Sequence, residues 1–249
     1  LTKEEDAKAV LARLNGATQG IVDSLETNRQ TTKAPALHNL IELQKEGSKL
    51  FGYTASEVLD IAQALYEKHK LLSYPRTESR FLPKSIGATI SKHIEPLRFV
   101  PELSNHANSI LADTSLIKEI MSKKYYVDDS KVTDHHGILV TDTVPNLSAL
   151  SERELNIYML VAKRVIALFL PPLEIDKTTL ITKVNNETFI STGQMIVNEG
   201  FTVLYPKKSK AKTDKGADDE KMLPKLAKGD VVKVEKITAL TKETTPPKR

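Results

Sequence analysis

The stretch that decides the fold and chemistry of this chain is a single continuous motif, Leu71-Leu72-Ser73-Tyr74-Pro75-Arg76-Thr77-Glu78-Ser79-Arg80-Phe81-Leu82. It begins as an apolar run of strand length and then presents a tyrosine, a proline and an arginine in succession. Pro75 fixes its own φ and pushes Tyr74 toward an extended conformation, so the tyrosine is expected at an exposed strand end or in a loop. In an extended chain the side chain of Arg76 emerges on the same face as that of Tyr74.

A phenol beside a guanidinium group is chemically suited to a phosphodiester. The phenol of Tyr74 becomes a nucleophile once its proton is removed, and the guanidinium of Arg76 can hold two phosphate oxygens at once. Residues 68–84 contain five Lys or Arg and one acid, Glu78, so the local field favours an anion. Taken alone, the stretch is equally compatible with a turn after a helix, in which Tyr74 is buried and Arg76 is solvated.

Residues 74–82 resemble the active-site tyrosine motif of type IA DNA topoisomerases of the topoisomerase III kind, and residues 62–67 lead into it as they do in that family. The resemblance implies that Tyr74 attacks a DNA phosphate, with Arg76 as a catalytic neighbour. The product would be a 5′-phosphotyrosine link to one DNA strand, which is later resealed without ATP. The resemblance also implies DNA contacts from the residues that follow, namely Thr77, Ser79, Arg80 and Lys84.

A second polar cluster, residues 131–141, contains the adjacent pair His135 and His136. Its residue types permit a metal site, because Asp and His are metal ligands, or a set of polar residues that cap a turn. The cluster also resembles a second signature of type IA topoisomerases. That resemblance implies that His135 acts near the scissile phosphate and that His136 contacts DNA.

The second cluster departs from the family pattern at two positions. Gly137 stands where the family usually has alanine, a mild change that we expect to loosen the backbone. Val140 stands where the family usually has proline, so the loop conformation after His135 is less constrained than in the family.

Composition limits the possible classes of protein. The 249 residues are 40% hydrophobic, which is enough for a core, and they include no cysteine, which excludes disulfides and thiolate metal sites. No apolar run approaches the length of a membrane span. The resemblance implies a cytoplasmic protein associated with the bacterial nucleoid. The net charge is +4, but residues 206–249 hold thirteen Lys or Arg against seven acids, which leaves residues 1–205 at −2. Only local basic clusters therefore favour binding of nucleic acid. The first residue is Leu1 rather than methionine, from which a fragment is expected.

The pattern of apolar residues predicts a mixed α+β fold. Capping boxes predict three helix starts, at Thr2, Thr54 and Ser151. Pro35 is predicted in the first turn of a further helix with Leu37, Leu40 and Ile41 on one face. Strands are predicted at residues 20–31, in a hairpin of residues 179–184 and 188–192 that turns at Asn185-Asn186, and at residues 194–205 and 230–240. Residues 125–132 are predicted to form a polar loop and residues 207–221 a mobile one.

These elements predict a helical domain inserted into a β-rich domain, as in the toroid of type IA topoisomerases. The first segment of the β-rich domain would be residues 1–35, the helical tyrosine domain residues 36–172, and the second β-rich segment residues 173–249. Residues 245–249 would lie where the family's chain turns back toward its base domain.

The resemblance further implies Mg²⁺ in the full enzyme, held by a Toprim domain that is missing here, with no metal bound by these residues themselves. Two acidic pairs, Asp128-Asp129 and Asp218-Asp219, lack the context of such a domain and are interpreted as solvated. Single-stranded DNA is the expected partner, and a monomer the expected state. Two other classes remain open: a non-catalytic single-strand DNA-binding module, and a tyrosine recombinase, which Tyr74-Pro75-Arg76 fits poorly because it does not suit a helix interior.

Overall fold

The structure is a computed structural model that describes residues 4–205 and 223–240. Three predictions lie outside these residues: the helix start at Thr2, the mobile loop of residues 207–221 with Asp218-Asp219, and the turn of residues 245–249. The described residues form the helices α1 Glu4–Arg13, α2 Leu40–Phe51, α3 Ala55–Glu67, α4 Lys84–Gly87, α5 Ile90–Ile94, α6 Ser104–Ala112, α7 Thr114–Ser122 and α8 Glu152–Ala167. They form the strands β1 Gln19–Thr32, β2 Leu173–Val184, β3 Glu187–Asn198 and β4 Val231–Lys233.

Contacts between residues divide the chain into two units. One unit takes the described residues among 1–31, 174–197 and 210–249, and the other takes the described residues among 32–173 and 198–209. The helical unit thus interrupts the β unit along the chain, and the fold is mixed α+β as predicted. No helix within the described residues is long and apolar enough to span a membrane.

The β unit is a four-stranded sheet with the strand order β3-β2-β1-β4. The predicted hairpin is confirmed: Asn185 and Asn186 both have positive φ, 45° and 66°, as a two-residue turn between twisted strands requires. The side chains of Arg29 and Asp176 pair across neighbouring strands, with Nε donating to Oδ1 at 2.8 Å and Nη2 to Oδ2 at 3.1 Å. The strand predicted at residues 230–240 is much shorter, since only Val231–Lys233 pairs with β1.

The core of the helical unit lies where α2, α3 and α8 meet. Gly47 permits their close approach, because a Cβ there would lie 2.8 Å from Val58 Cγ2 and 3.3 Å from Ile157 Cδ1. The capping boxes predicted for α3 and α8 are both present, at Thr54 and Ser151. Helix α8 buries Ile157, Val161 and Val165 among other residues.

The predicted helix is present as α2, but its predicted start at Pro35 is wrong. Residues 33–37 are not helical. Helix α2 begins at Leu40, and its N-cap is Asn39, whose Oδ1 accepts a hydrogen bond from the N–H of Glu42. The backbone of His38 pairs instead with Ile138 in an antiparallel bridge, which holds the chain extended before the helix.

Two further predictions are wrong. Residues 125–132 are not simply a polar loop, since Tyr126 is buried and donates its hydroxyl to the carbonyl of Ala34, while Val127 pairs with Leu82. The strand predicted at residues 194–205 ends early, because β3 stops at Asn198 and a 3₁₀ turn, Gly200–Leu204, follows it.

Candidate active site

Backbone pairing brings the two polar motifs together within the helical unit. The chain leaves α3 through Lys70, which has a φ of 59°, and the buried residue Leu72 then pairs with Val140 in an antiparallel bridge. Ser73 closes the pair from both sides, since its N–H donates to the carbonyl of Leu139 and its Oγ accepts from the N–H of Leu139. The predicted tyrosine, Tyr74, therefore begins a loop that lies beside the histidine motif.

The rings of Tyr74 and His135 lie next to one another. Their centroids are 4.5 Å apart at an angle of 47°, although 61 positions separate the two residues in the sequence. Tyr74 is half-buried and His135 is exposed, so the site opens to solvent at the imidazole. On its other side Tyr74 contacts the ring of Tyr66, edge to face, with centroids 5.5 Å apart.

Arg76 reaches the solvent rather than Tyr74. Its side chain is exposed and makes no hydrogen bond or ion pair with any residue that the structure describes. The structure therefore brings Tyr74 and His135 together, while Arg76 stays close only in sequence. A free guanidinium two residues from the phenol remains available to a phosphate.

The hydroxyls of Thr77 and Ser79 are directed inward. Both residues are 6% exposed. Thr77 Oγ1 donates to the carbonyl of His135 at 3.0 Å, and Ser79 Oγ donates to the carbonyl of Lys131 at 2.9 Å. Their predicted contact with DNA stays a prediction; in this structure both hydroxyls hold the histidine motif against the tyrosine motif.

The remaining predicted DNA contacts lie in different surroundings. Arg80 is half-buried and donates from Nε to the carbonyl of Leu37 at 3.2 Å. Lys84 is exposed, and its Nζ lies 3.9 Å from Asp129 Oδ2. His136 is half-buried, with Nδ1 2.8 Å from the carbonyl of Gly137. These three side chains do not converge on Tyr74 in the way that His135 does.

The two departures from the family pattern have opposite structural meanings. The hydrogen bonds of the bridge between Val140 and Leu72 are made by the neighbouring residues. The N–H of Val140 itself makes no hydrogen bond with any residue that the structure describes. A proline there would therefore lose no backbone bond. At Gly137, however, a Cβ would lie 2.9 Å from Leu37 Cβ and 3.1 Å from the carbonyl carbon of Arg80. This glycine is tightly packed, and the expectation of a loosened backbone stays a prediction.

Sequence reasoning missed two contributors to this site. Tyr66 was noted only as part of the approach to the motif, although its position eight residues before Tyr74 on α3 places its ring against the tyrosine. His93 supports the loop of residues 135–141, with Nδ1 2.8 Å from the carbonyl of Val140. Burial lowers the pKa of His93, although the hydrogen bond to Val140 opposes that shift.

The arrangement offers a nucleophile, an adjacent imidazole and an unpaired guanidinium. Within the described residues, no group of three or more His, Asp or Glu is placed to hold a metal ion. Asp128 and Asp129 are used locally: Asp128 Oδ1 accepts from the N–H and hydroxyl of Ser130, and Asp129 Oδ1 accepts from the N–H of Lys84.

The fold is that of a type IA topoisomerase. The structure is similar to full-length topoisomerase I from Thermotoga maritima, with a TM-score of 0.59 and 18% identity, over 94% of this chain and 35% of that protein. The sequence matches the family model described as DNA topoisomerase over residues 1–249, and the chain belongs to that family.

Relatives in two bacilli are more similar in sequence. The chain is 37% identical over 244 residues to DNA topoisomerase 3 of Bacillus licheniformis, which covers 97% of this chain and 32% of that protein. It is 37% identical over 252 residues to DNA topoisomerase 3 of Bacillus subtilis, which covers 100% of this chain and 33% of that protein. The resemblance stated from the two motifs is thus confirmed, and the chain spans only part of the length of these relatives.

Proposed function

We propose that this chain is the tyrosine-bearing part of a type IA DNA topoisomerase of the topoisomerase III kind, which cuts and reseals one DNA strand. The observation that carries the proposal is the contact between Tyr74 and His135, in a chain that belongs to the DNA topoisomerase family. The name of the two Bacillus relatives, DNA topoisomerase 3, supports the same activity.

In the proposed reaction the phenol oxygen of Tyr74 attacks a phosphorus atom of single-stranded DNA. A bond forms between that oxygen and phosphorus, the bond from phosphorus to the 3′ oxygen breaks, and a 5′-phosphotyrosine link remains. The phenol loses its proton and the departing 3′ oxygen gains one. Because the phosphodiester bond energy is kept in the link, the 3′ hydroxyl can attack it in turn and reseal the strand without ATP.

The chain's own residues would supply binding and placement. Arg76 has a free fork of N–H donors to hold the oxygens of the attacked phosphate. His135 lies against the phenol ring, where its imidazole can exchange a proton or contact the phosphate. Both groups stabilise charge that develops during the transfer.

Mg²⁺ is proposed for the complete enzyme, with its ligands in a Toprim domain. It would stabilise the negative charge of the transferring phosphoryl group. The described residues do not fit a metal site, so no step is assigned to the ion here. We also propose that the complete enzyme acts as a monomer in the cytoplasm, on single-stranded segments of chromosomal DNA.

A non-catalytic single-strand DNA-binding module is the competing proposal. It is favoured by exposed cations of the two motifs and their flanks, among them Arg76, Lys84 and Lys131, because these would bind a phosphate backbone without any chemistry. Only a covalent product separates the two functions.

The experiment is a supercoil relaxation assay on the complete protein that contains this chain, with detection of the covalent adduct after denaturation. The unaltered protein should relax negatively supercoiled DNA and form an adduct. Tyr74→Phe removes one oxygen and little packing, and should abolish both while DNA binding persists. Tyr125→Phe, at an exposed tyrosine outside the site, is the matched control and should behave as the unaltered protein. Adduct formation by Tyr74→Phe would refute the proposal, and binding without any adduct by the unaltered protein would favour the competing one.

A further inference from the structure

Three polar side chains lie together in the helical unit, two of them buried and the third, Glu46, half-buried. Glu46 of α2 places Oε2 2.6 Å from His38 Nε2 and also accepts a hydrogen bond from Arg164 Nη2 of α8. His38 is 0% exposed and Arg164 is 7% exposed. These three residues, His38, Glu46 and Arg164, are called the triad, and they play no part in the proposed chemistry.

The triad holds a carboxylate between a guanidinium and an uncharged imidazole. Burial lowers the pKa of His38, although its hydrogen bond with Glu46 opposes the shift. Burial works against ionisation of Glu46, but the hydrogen bond with His38 and the charge of Arg164 outweigh it and lower the pKa of Glu46. His38 Nδ1 and Arg164 Nε are buried and have no hydrogen-bond partner within the described residues.

Such a triad is weak evidence for a role in stability. Desolvation of two charges commonly offsets their attraction, so apolar side chains of similar volume often stabilise a fold equally well. Two buried polar atoms without partners add a further cost. A role in fixing geometry explains the arrangement better than a role in stability.

The triad fixes a segment that contacts both motifs of the site. Arg164 Nη1 donates to the carbonyl of Ala36 at 3.2 Å, and Glu46 holds the side chain of His38. The linking segment, defined as residues 36–40, is thereby tied to α2 and α8.

The linking segment holds the histidine motif through one backbone bond, since Ile138 N–H donates to the carbonyl of His38 at 2.7 Å. It holds the tyrosine motif through three bonds. Leu40 N–H donates to the carbonyl of Thr77 at 3.1 Å. The other two are from Asn39 Nδ2 to the carbonyl of Glu78 at 3.0 Å and from Arg80 Nε to the carbonyl of Leu37 at 3.2 Å.

We infer that Glu46 and Arg164 are positioning residues for strand cleavage, because they fix the linking segment on which the segments that carry Tyr74 and His135 are aligned. This inference rests on the proposed function. Neither residue touches the reacting atoms. Their loss should lower the rate of the chemical step and leave DNA affinity and folding nearly unchanged, because a misplaced reacting group typically costs about 100-fold per ångström.

The first test replaces the pair by apolar side chains, Glu46→Leu with Arg164→Met, in the complete protein. Three quantities are measured: the thermal unfolding temperature, the affinity for a single-stranded oligonucleotide, and the single-turnover rate of adduct formation. We expect adduct formation to slow by roughly 10- to 100-fold with the other two quantities unchanged. Lys163→Met is the matched control on the neighbouring position of α8, where Lys163 pairs with Glu102, and it should leave all three unchanged.

The second variant, Arg164→Lys, keeps the charge but cannot bond Glu46 and Ala36 with one planar fork, so it should show a smaller loss of rate. The inference is overturned if either variant folds and forms adduct as fast as the unaltered protein. It is also overturned if both variants unfold, since the triad would then serve folding. Absence of any Tyr74-dependent adduct in the unaltered protein would instead refute the proposed function.

Discussion

The two arginines of the tyrosine motif have different environments. Arg80 is half-buried and donates to the carbonyl of Leu37, whereas Arg76 is exposed and unpaired within the described chain. A guanidinium that already donates to the backbone stabilises the fold, whereas a free guanidinium can bind a phosphate. We therefore expect the phosphate contact from Arg76 in preference to Arg80.

Arg76→Lys is expected to slow adduct formation by roughly 10- to 100-fold, because lysine keeps the charge but loses the bidentate fork that orients the phosphate. Single-turnover cleavage of an end-labelled oligonucleotide by the complete protein measures this rate. Arg98→Lys, at an arginine paired with Glu95 and Asn108, is the control. If Arg76→Lys cleaves at the unaltered rate, the bidentate role is wrong.

Gly137 tests the packing beneath the histidine motif. Because a Cβ there would lie 2.9 Å from Leu37 Cβ, Gly137→Ala should destabilise the polypeptide of residues 1–249 by about 1–3 kcal/mol. Urea unfolding measures the change. Gly87→Ala is the control, since a Cβ at Gly87 would meet side chains only at 3.6 Å or more. Equal stability of the two variants would show that the backbone at Gly137 adapts freely.

The motif residues could be predicted from the sequence because their spacing is local, but their environments could not. Tyr74 and Arg76 belong to one continuous stretch of sequence, yet Arg76 is exposed and lies close to Tyr74 only in the sequence. The hydrogen bond between Glu46 and Arg164 joins residues 118 positions apart, and nothing local in the sequence signals it. The close packing of Gly137 against Leu37 and Arg80 depends on tertiary structure in the same way.

Among the helices, those with local start signals were predicted best. The capping boxes of α3 and α8 are self-contained, because the side chains of residues i and i+3 satisfy one another's backbone groups. The helix expected to start at Pro35 starts instead at Leu40, because the pairing of His38 with Ile138, far along the chain, overrode a local preference. Residues 125–132 failed for the same reason, since Tyr126 finds its partner at Ala34.

The capping box of α8 should make stability depend on pH. Hydrogen bonds from the backbone and hydroxyl of Ser151 lower the pKa of Glu154 from 4.5 to about 2. The folded state thus favours the ionised carboxylate, so the stabilisation is full above pH 4.5 and is lost as the pH falls to about 2.

We therefore expect Glu154→Gln to weaken the dependence of the urea midpoint on pH between 4.5 and about 2. Glu152→Gln, at an exposed residue of the same turn, is the control and should leave the dependence unchanged. Part of the dependence should survive in Glu154→Gln, because Glu57 caps α3 in the same way and its pKa is also lowered to about 2, chiefly by its backbone hydrogen bond from Thr54. An unchanged pH profile in Glu154→Gln would contradict this account.

The charge of the chain is unevenly distributed, with −2 over residues 1–205 against +4 for all 249. We expect binding of single-stranded DNA to depend on the basic cluster of residues 68–84 and to fall steeply as salt rises. Lys84→Gln should reduce the slope of log K against log salt by about 0.7, the value for one phosphate contact on a single strand. Fluorescence titration of a labelled oligonucleotide at several salt concentrations measures the slope. Salt-independent binding, or a preference for duplex, would contradict the prediction.

The last prediction concerns what the two units can do without the rest of the protein. A phenol is a poor nucleophile near neutral pH, since its pKa in model peptides is about 10, and the departing 3′ oxygen needs a proton. We expect that His135 and Arg76 alone do not both activate the phenol and protonate the departing oxygen. General acid–base catalysis and charge stabilisation by a metal ion each raise a reaction rate by several orders of magnitude. The described residues also hold no group fit for a metal ion.

A polypeptide of residues 1–249 should therefore bind single-stranded DNA but neither form an adduct nor relax supercoiled DNA. The complete protein should do both when Mg²⁺ is supplied. The relaxation gel and the adduct assay are run side by side on the two proteins, with Tyr74→Phe of the complete protein as the blank. Robust relaxation by residues 1–249 alone would place the missing acid within this chain, and His135, in contact with the Tyr74 ring, would then be the first residue to replace.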